Sequence, residues 1–254
     1  MRRRTGSTVL GMAASVALAA LLPGAAFACD ARHRTLELDP GQNVGGSTDG
    51  YAALDLRDRE VVLTFDDGPN PETTPRILDI LSKACVPATF FVLGGPAEEY
   101  PSLVRRELAD GHAVGGHSYS HSDLAEAPFN DATRDITAGF LPVAAAGGES
   151  NLFRFPQLSG TPQLLDWLRE HGMAVVSADI DPRDWEGQAP AVTLARLEKQ
   201  IREQGRGIIL LHDDQPTTVQ LLPDLLAFLR SEGYSVVRLV GAPAHRQLAS
   251  GETR

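Results

Sequence analysis

From residue 60 onward, short and almost unbroken apolar runs alternate with amphipathic stretches. Runs at 61–65 (VVLTF), 88–93 (ATFFVL), 112–116, 152–155, 173–178 (MAVVSA), 207–212 (GIILLH) and 234–239 have the length and apolar content of buried strands. Helical spacing fills the gaps. It is clear at 73–84, where Ile77, Ile80 and Leu81 share a face, and at 97–110, with Gly111 as the stop. Further helices are predicted near 131–146, at 161–171 before Gly172, at 190–204, and at 217–232 before Gly233.

Seven strands alternating with helices predict a parallel β/α construction, either a barrel or a doubly wound sheet. No repeat, low-complexity tract or linker divides 60–240, so one domain is expected. Residues 29–58 hold Gly41, Gly45, Gly46 and Gly50 without sustained periodicity and read as an N-terminal arm; 241–254 read as a C-terminal tail. No G-x-G-x-x-G follows the first strand, which argues against a dinucleotide site.

Composition narrows the class. The 254 residues are 43% hydrophobic and 22% charged, ordinary for a globular protein, with a net charge of −10. That acidity argues against nucleic acid as a partner, since duplex affinity comes from Lys and Arg on phosphates. The first residues skew the balance. Arg2, Arg3 and Arg4 precede an apolar run from Val9 to Leu22, then Pro23, Gly24 and the small-x-small stretch Ala26-Phe27-Ala28. This is the layout of a signal peptide over 1–28, too short for a transmembrane segment, and predicts an exported protein, periplasmic or extracellular. The chain beyond residue 28 keeps 20 basic and 33 acidic residues, a charge of −13. Cys29 would then come first. Lipid anchoring there is a second reading, disfavoured by the bulk of Phe27, and a Cys29–Cys85 bridge is open in an oxidising compartment.

In a parallel β/α barrel, functional groups gather at the carboxyl ends of strands, where this chain carries its unusual polar clusters. The first strand runs into Thr64-Phe65-Asp66-Asp67-Gly68-Pro69. Adjacent carboxylates on a strand point different ways, so one is able to bind a metal while the other stays free as a base; Asp, Gly and Pro are also ordinary turn residues. His117 and His121 follow the third strand at a spacing that puts two ligands on one helical face, and Asp67 adds a carboxylate to make a two-His, one-carboxylate set. Arg154 leaves the fourth strand toward these carboxylates. Asp179, Asp181 and Asp184 precede Trp185, one of them available to pair with a histidine. His212 ends the sixth strand, a natural place for a general acid or base, whereas His33, His112, His171 and His245 fit no such arrangement.

The order and spacing of these motifs resemble the polysaccharide deacetylase family (carbohydrate esterase family 4, the NodB homology domain) over about 59–240. Thr64 to Pro69 is similar to its first motif, His117 to His121 to the second and Arg154-Phe155-Pro156 to the third. Asp181-Pro182-Arg183-Asp184-Trp185 resembles the fourth, and Leu210-Leu211-His212 the fifth. The resemblance implies a distorted seven-stranded (β/α) barrel and a metal-dependent hydrolase acting on acetylated glycans. It implies Asp66 as catalytic base, with Asp67, His117 and His121 on a divalent metal, most often Zn²⁺, with Co²⁺, Ni²⁺ or Mn²⁺ as alternatives. It further implies Arg154 bracing Asp66, Asp184 tuning His212 as catalytic acid, and Trp185 and Leu210 lining the acetyl pocket. One departure is visible: an aromatic residue usually follows the proline of the third motif, and this chain has Gln157. Its backbone N–H remains available for the oxyanion. The expected reaction is removal of N-acetyl groups from a sugar polymer. An O-acetyl esterase of xylan type and a catalytically silent glycan-binding protein are the competing readings.

Overall fold

The computed structural model describes residues 33–46, 50–149 and 151–242. The predicted leader over 1–28, Cys29 with its lipidation and bridge to Cys85, and most of the C-terminal tail lie outside these residues. The described strands are β1 (Thr35–Leu38), β2 (Asn43–Val44), β3 (Glu60–Asp66), β4 (Thr89–Val92), β5 (Ala113–Gly116), β6 (Leu152–Phe153), β7 (Ala174–Val176), β8 (Gly207–His212), β9 (Ser235–Val236) and β10 (Arg238–Gly241). The helices are α1 (Thr74–Ala84), α2 (Gly94–Glu99), α3 (Pro101–Ala109), α4 (Phe129–Ala145), α5 (Pro162–Glu170), α6 (Pro190–Gln204) and α7 (Pro216–Ser231).

Seven parallel strands follow one another in the order β2, β7, β6, β5, β4, β3, β8. Past the end of β7, an isolated bridge between Ile180 and Ile209 brings the chain back to β8, so the sheet curls into a distorted barrel. The predicted strand at 234–239 is two strands instead. β9 adds to the start of β3, whereas β10 leaves the main sheet to pair in parallel with β1. The seventh place on the path belongs to β2, in the segment predicted as an arm without elements. Two residues are too few for hydrophobic alternation to register, so β2 leaves no pattern in the sequence.

The helix predicted at 97–110 is likewise two, α2 and α3. Proline at the first position of α3 has no N–H and pushes the residue before it out of the helical region, and Tyr100 sits at φ −122°, ψ 55° between them.

Strand parity sorts the core. Val62, Phe91, Ala113, Leu152, Ala174, Val176 and Ile208 point inward and form one cluster with Leu38 and Leu239, so the β1–β10 pair plugs the end of the barrel where the strands begin. The alternate residues Val61, Leu63, Phe65, Phe90, Val92, Ile209 and Leu211 face outward and pack under α1, α6 and α7. Gly115 shares the inner face. A Cβ there would lie 2.9 Å from the Phe91 ring and 2.8 Å from the Leu152 carbonyl, so only glycine leaves space for Phe91 inside the barrel.

Candidate active site

The parity that points Val62 inward also points Thr64 and Asp66 inward. Thr64 is in register with Leu210 and Asp66 with His212, so β8 presents those two side chains to the same interior. Arg154, just past β6, is fully buried and lies over Phe91, its guanidinium carbon 4.3 Å from the ring centroid. Its Nη1 donates to Asp66 Oδ1 and to Thr64 Oγ1, both at 2.7 Å, while Nε and Nη2 donate to the carbonyls of Val176 and Ser177 at 3.0 and 2.9 Å. Three strands thereby fix one oxygen of Asp66. The other oxygen lies 3.8 Å from His117 Nε2.

His117 and His121 stand on the loop after β5 and not on a helix, contrary to the helical face expected from their spacing. Positive φ at Ser118 (63°) and His121 (60°) breaks any helical path, and His121 N–H bonds to Ser118 Oγ at 3.1 Å. The two rings nevertheless meet, with centroids 5.3 Å apart. Six of the eight non-glycine residues with positive φ among the described residues, Asp67, Ser118, His121, Gln157, Leu158 and Arg183, lie in the loops that build this site. Such conformations cost about 1–3 kcal/mol each and persist only where the surroundings enforce them.

Asp67 Oδ1 is buried and receives no hydrogen bond. It lies 3.4 Å from His117 Nε2 and 3.3 Å from His121 Nε2. Nδ1 of His117 is 2.9 Å from the Arg154 carbonyl, which only accepts, so the ring proton belongs on Nδ1 and the Nε2 lone pair faces Asp67. Facing acceptors of this kind need a cation between them, either a second ring proton or a metal ion. One ligand atom from each of Asp67, His117 and His121 lies within 4.8 Å of the others, and a carbonyl behind a histidine is a common way to aim the metal-binding nitrogen. The residues present fit Zn²⁺ or another first-row divalent ion. Burial works to raise the Asp67 carboxyl, but His117, His212 and His121 outweigh it and hold the group below the ordinary carboxylate range.

Across the cleft, Asp184 is fully buried in a short 3₁₀ turn (Asp184–Glu186) and accepts from His212 twice: Nδ1–H at 2.7 Å and backbone N–H at 2.8 Å. Thr218 Oγ1 donates to the same carboxylate. Burial alone would lower the His212 pKa; its hydrogen bond to Asp184 and the charges of Asp184, Asp66 and Asp67 reverse that and lift it to about 9. The other acidic residues of this stretch do different work. Asp179 accepts from Gly46 and Ile208 N–H at the barrel closure, and Asp181 lines the cleft.

Asp66, Asp67, His117, His121, Gln157, Trp185, Leu210 and His212 thus line one cleft of about 590 Å³, with Arg154 and Asp184 buried behind it. Leu210 is buried in its wall, while Trp185 stands half exposed at the rim. Gln157 has φ 56°, and its N–H bonds to nothing among the described residues. Thr218, Phe155 and Leu158 join the site without a role assigned from sequence. Phe155 falls within the third motif, Thr218 lies on the buried face of α7 and Leu158 on the rim; Thr218 has a signal of its own, a hydroxyl in the opening turn of a helix beside a strand end, and Leu158 has none. His33, His112 and His171 stay outside the cleft. Among the described residues, no helix is long and apolar enough to cross a membrane.

Residues 53–176 match the polysaccharide deacetylase family profile. A chitooligosaccharide deacetylase of Sinorhizobium fredii is 37% identical over 169 residues, 66% of this chain and 75% of that protein. A peptidoglycan-N-acetylglucosamine deacetylase of Listeria monocytogenes is 32% identical over 186 residues, but only 38% of its length is spanned. A solved peptidoglycan deacetylase of Bdellovibrio bacteriovorus superposes with a TM-score of 0.75 at 30% identity, covering 85% of this chain and 61% of that one. With its barrel, its ordered motifs and these relatives, the chain belongs to the polysaccharide deacetylase family.

Proposed function

We propose that this protein is a metal-dependent hydrolase that removes the N-acetyl group from N-acetylglucosamine-type units of an extracytoplasmic polysaccharide or oligosaccharide, releasing acetate. The reading is carried by one observation: a carboxylate braced by a buried Arg, an Asp/His/His set with the spacing to hold a cation, and a carboxylate-paired histidine all open onto the same cleft. Relatives named as chitooligosaccharide and peptidoglycan N-acetylglucosamine deacetylases support the substrate class. The basic and apolar leader pattern over 1–28 supports export.

Asp67, His117 and His121 would hold the divalent ion, Zn²⁺ by preference. When bound, such an ion polarises the acetyl carbonyl and makes water acidic enough to react near neutral pH. Asp66 takes the proton from the attacking water. Its Oδ1 is tied to Arg154, which leaves Oδ2, on the His117 side, as the working atom. Gln157 N–H donates to the oxygen that gains charge. His212 gives its proton to the departing nitrogen from Nε2, because Asp184 holds the ring through Nδ1–H and favours the imidazolium. An amide depends on that acid more than an ester does, since an amine leaves poorly unprotonated. Leu210 and Trp185 wall the space for the acetyl methyl.

The test is acetate release from N-acetylglucosamine oligomers and peptidoglycan, beside O-acetylated xylan, with and without chelator. Chelator-sensitive release from the N-acetylated substrates is expected. Asp66→Asn should lower the rate about 10²–10⁴-fold, the range for a general base. Undiminished turnover in that variant sinks the assignment of Asp66, and release from xylan alone makes the protein an esterase.

A further inference from the structure

Asp213, immediately after His212, has no part in the chemistry above, yet it is buried against the turn that carries Asp66 and Asp67. Its backbone N–H donates to the Asp66 carbonyl at 3.1 Å, continuing the β3–β8 pairing one step past the register partners Asp66 and His212. Its side chain then turns back, and Oδ1 accepts from Gly68 N–H at 2.9 Å. One residue therefore bonds to both peptide groups that flank Asp67, the carbonyl before it and the N–H after it. The second oxygen is fixed in turn: Thr74 Oγ1, in the first turn of α1, donates to Oδ2 while accepting Asn70 N–H at 2.8 Å.

Asp67 needs such support because it sits at φ 75°, unfavourable for any residue with a Cβ. Left alone, it would relax toward an ordinary β or αR conformation and swing its carboxylate away from His117 and His121. The space is dedicated to this contact. A Cβ on Gly68 would fall 2.0 Å from Asp213 Oδ2 and 2.3 Å from Oδ1, so no side chain fits at 68 while the carboxylate stays in place.

We propose that Asp213 is a positioning residue for the metal site: it clamps the Asp66–Gly68 turn from both sides, holds Asp67 Oδ1 on the two histidines, and ties that turn to the strand end bearing His212. The inference rests on the reading of Asp67, His117 and His121 as metal ligands. It assigns Asp213 no contact with metal or substrate.

The test is Zn²⁺ affinity by competition with a chromophoric chelator, measured on folded, purified protein at fixed pH. Asp213→Leu keeps the branched outline of the side chain, with bulkier methyl groups in place of the oxygens, and removes both acceptors. Its affinity should fall about 10–100-fold, as when a residue that orients a metal ligand is lost. Asp213→Asn keeps an acceptor for Gly68 N–H and should stay within about threefold of the wild type, a rescue that loss of packing would not give. Should Asp213→Leu fail to fold, Gly68→Ala decides, because its methyl displaces the carboxylate while Asp213 remains; a fall of at least about tenfold is expected. A folded Asp213→Leu, or in its place Gly68→Ala, that binds Zn²⁺ within about twofold of the wild type overturns the inference. So does an Asp213→Asn protein as weak as Asp213→Leu. Wild-type protein that binds Zn²⁺ but releases no acetate refutes the proposed reaction and leaves this inference standing; wild-type protein that binds no Zn²⁺ overturns both.

Discussion

Replacing Asp184 by Asn keeps the shape of the site and removes the charge that sets His212. The carboxylate accepts three donors, His212 Nδ1–H, His212 backbone N–H and the Thr218 hydroxyl. An amide has one acceptor oxygen, so one orientation opposes its NH₂ to the backbone N–H of His212 and the other opposes it to the ring N–H. In the metal-free protein, the Asp184 bond and the surrounding carboxylates should lift His212 to about 9 from an ordinary 6.5, a difference of about 3 kcal/mol in favour of the imidazolium. At pH 8 the wild-type ring should be about nine-tenths protonated, and a ring returned to its ordinary value about one-thirtieth protonated. A raised pKa contributes fully to stability below pH 6.5, and the contribution is lost as pH rises from 6.5 through about 9. Asp184→Asn should therefore reduce stability most below pH 6.5 and narrow the gap to the wild type above pH 9. The assay is a histidine Cε1–H NMR titration of chelator-treated protein, with His212→Gln to assign the resonance, beside denaturant unfolding across the same pH range. With metal restored, the alkaline limb of kcat/KM should move to lower pH. A wild-type His212 titrating near 6.5, or one still near 9 in Asp184→Asn, refutes the reasoning.

Further outcomes follow from the same geometry. Arg154→Met removes the guanidinium that neutralises buried Asp66 and should destabilise the fold by about 3–5 kcal/mol, read from urea unfolding. Added Zn²⁺ should stabilise the protein against unfolding by about 2.7 kcal/mol at a hundredfold excess over its Kd, an effect that His117→Ala abolishes. His212→Gln should cost about 10²–10⁴-fold on N-acetylated oligomers and less on an O-acetyl ester, whose leaving group needs the acid less. Gly115→Leu drives its side chain into Phe91 and the Leu152 carbonyl and should destabilise by at least about 1–3 kcal/mol, seen as a lower Tm.

The chain's own pattern is enough for six of the seven barrel strands and for the polar residues that cluster at their ends. VVLTF and GIILLH read as strands from their length and apolar content, and a strand turns every second residue to one side, so Asp66 and His212 inherit the side that Val62 and Ile208 occupy. Local signals of this kind act over a few residues, and the polar motifs sit inside them. Pairings across long separations left no such trace. Two residues at Asn43–Val44 close one edge of the sheet by bonding to β7, which nothing in their own composition announces. Pro101 is plain in the sequence, but that it divides one amphipathic stretch into two helices is decided by where Tyr100 must turn. The histidine spacing suggests stacking on a helix, but the rings converge because a loop with positive φ at Ser118 and His121 folds over β5. The two imidazole nitrogens brought to one carboxylate oxygen, the bonds of Asp213 on either side of Asp67, and the third bond on Asp184 from Thr218 are also tertiary facts. Which residues are able to do the chemistry is a matter of side-chain type and strand parity, which the sequence carries. Which atom of each carboxylate is free to do it depends on the partners that other strands and helices bring, and only the folded barrel supplies those.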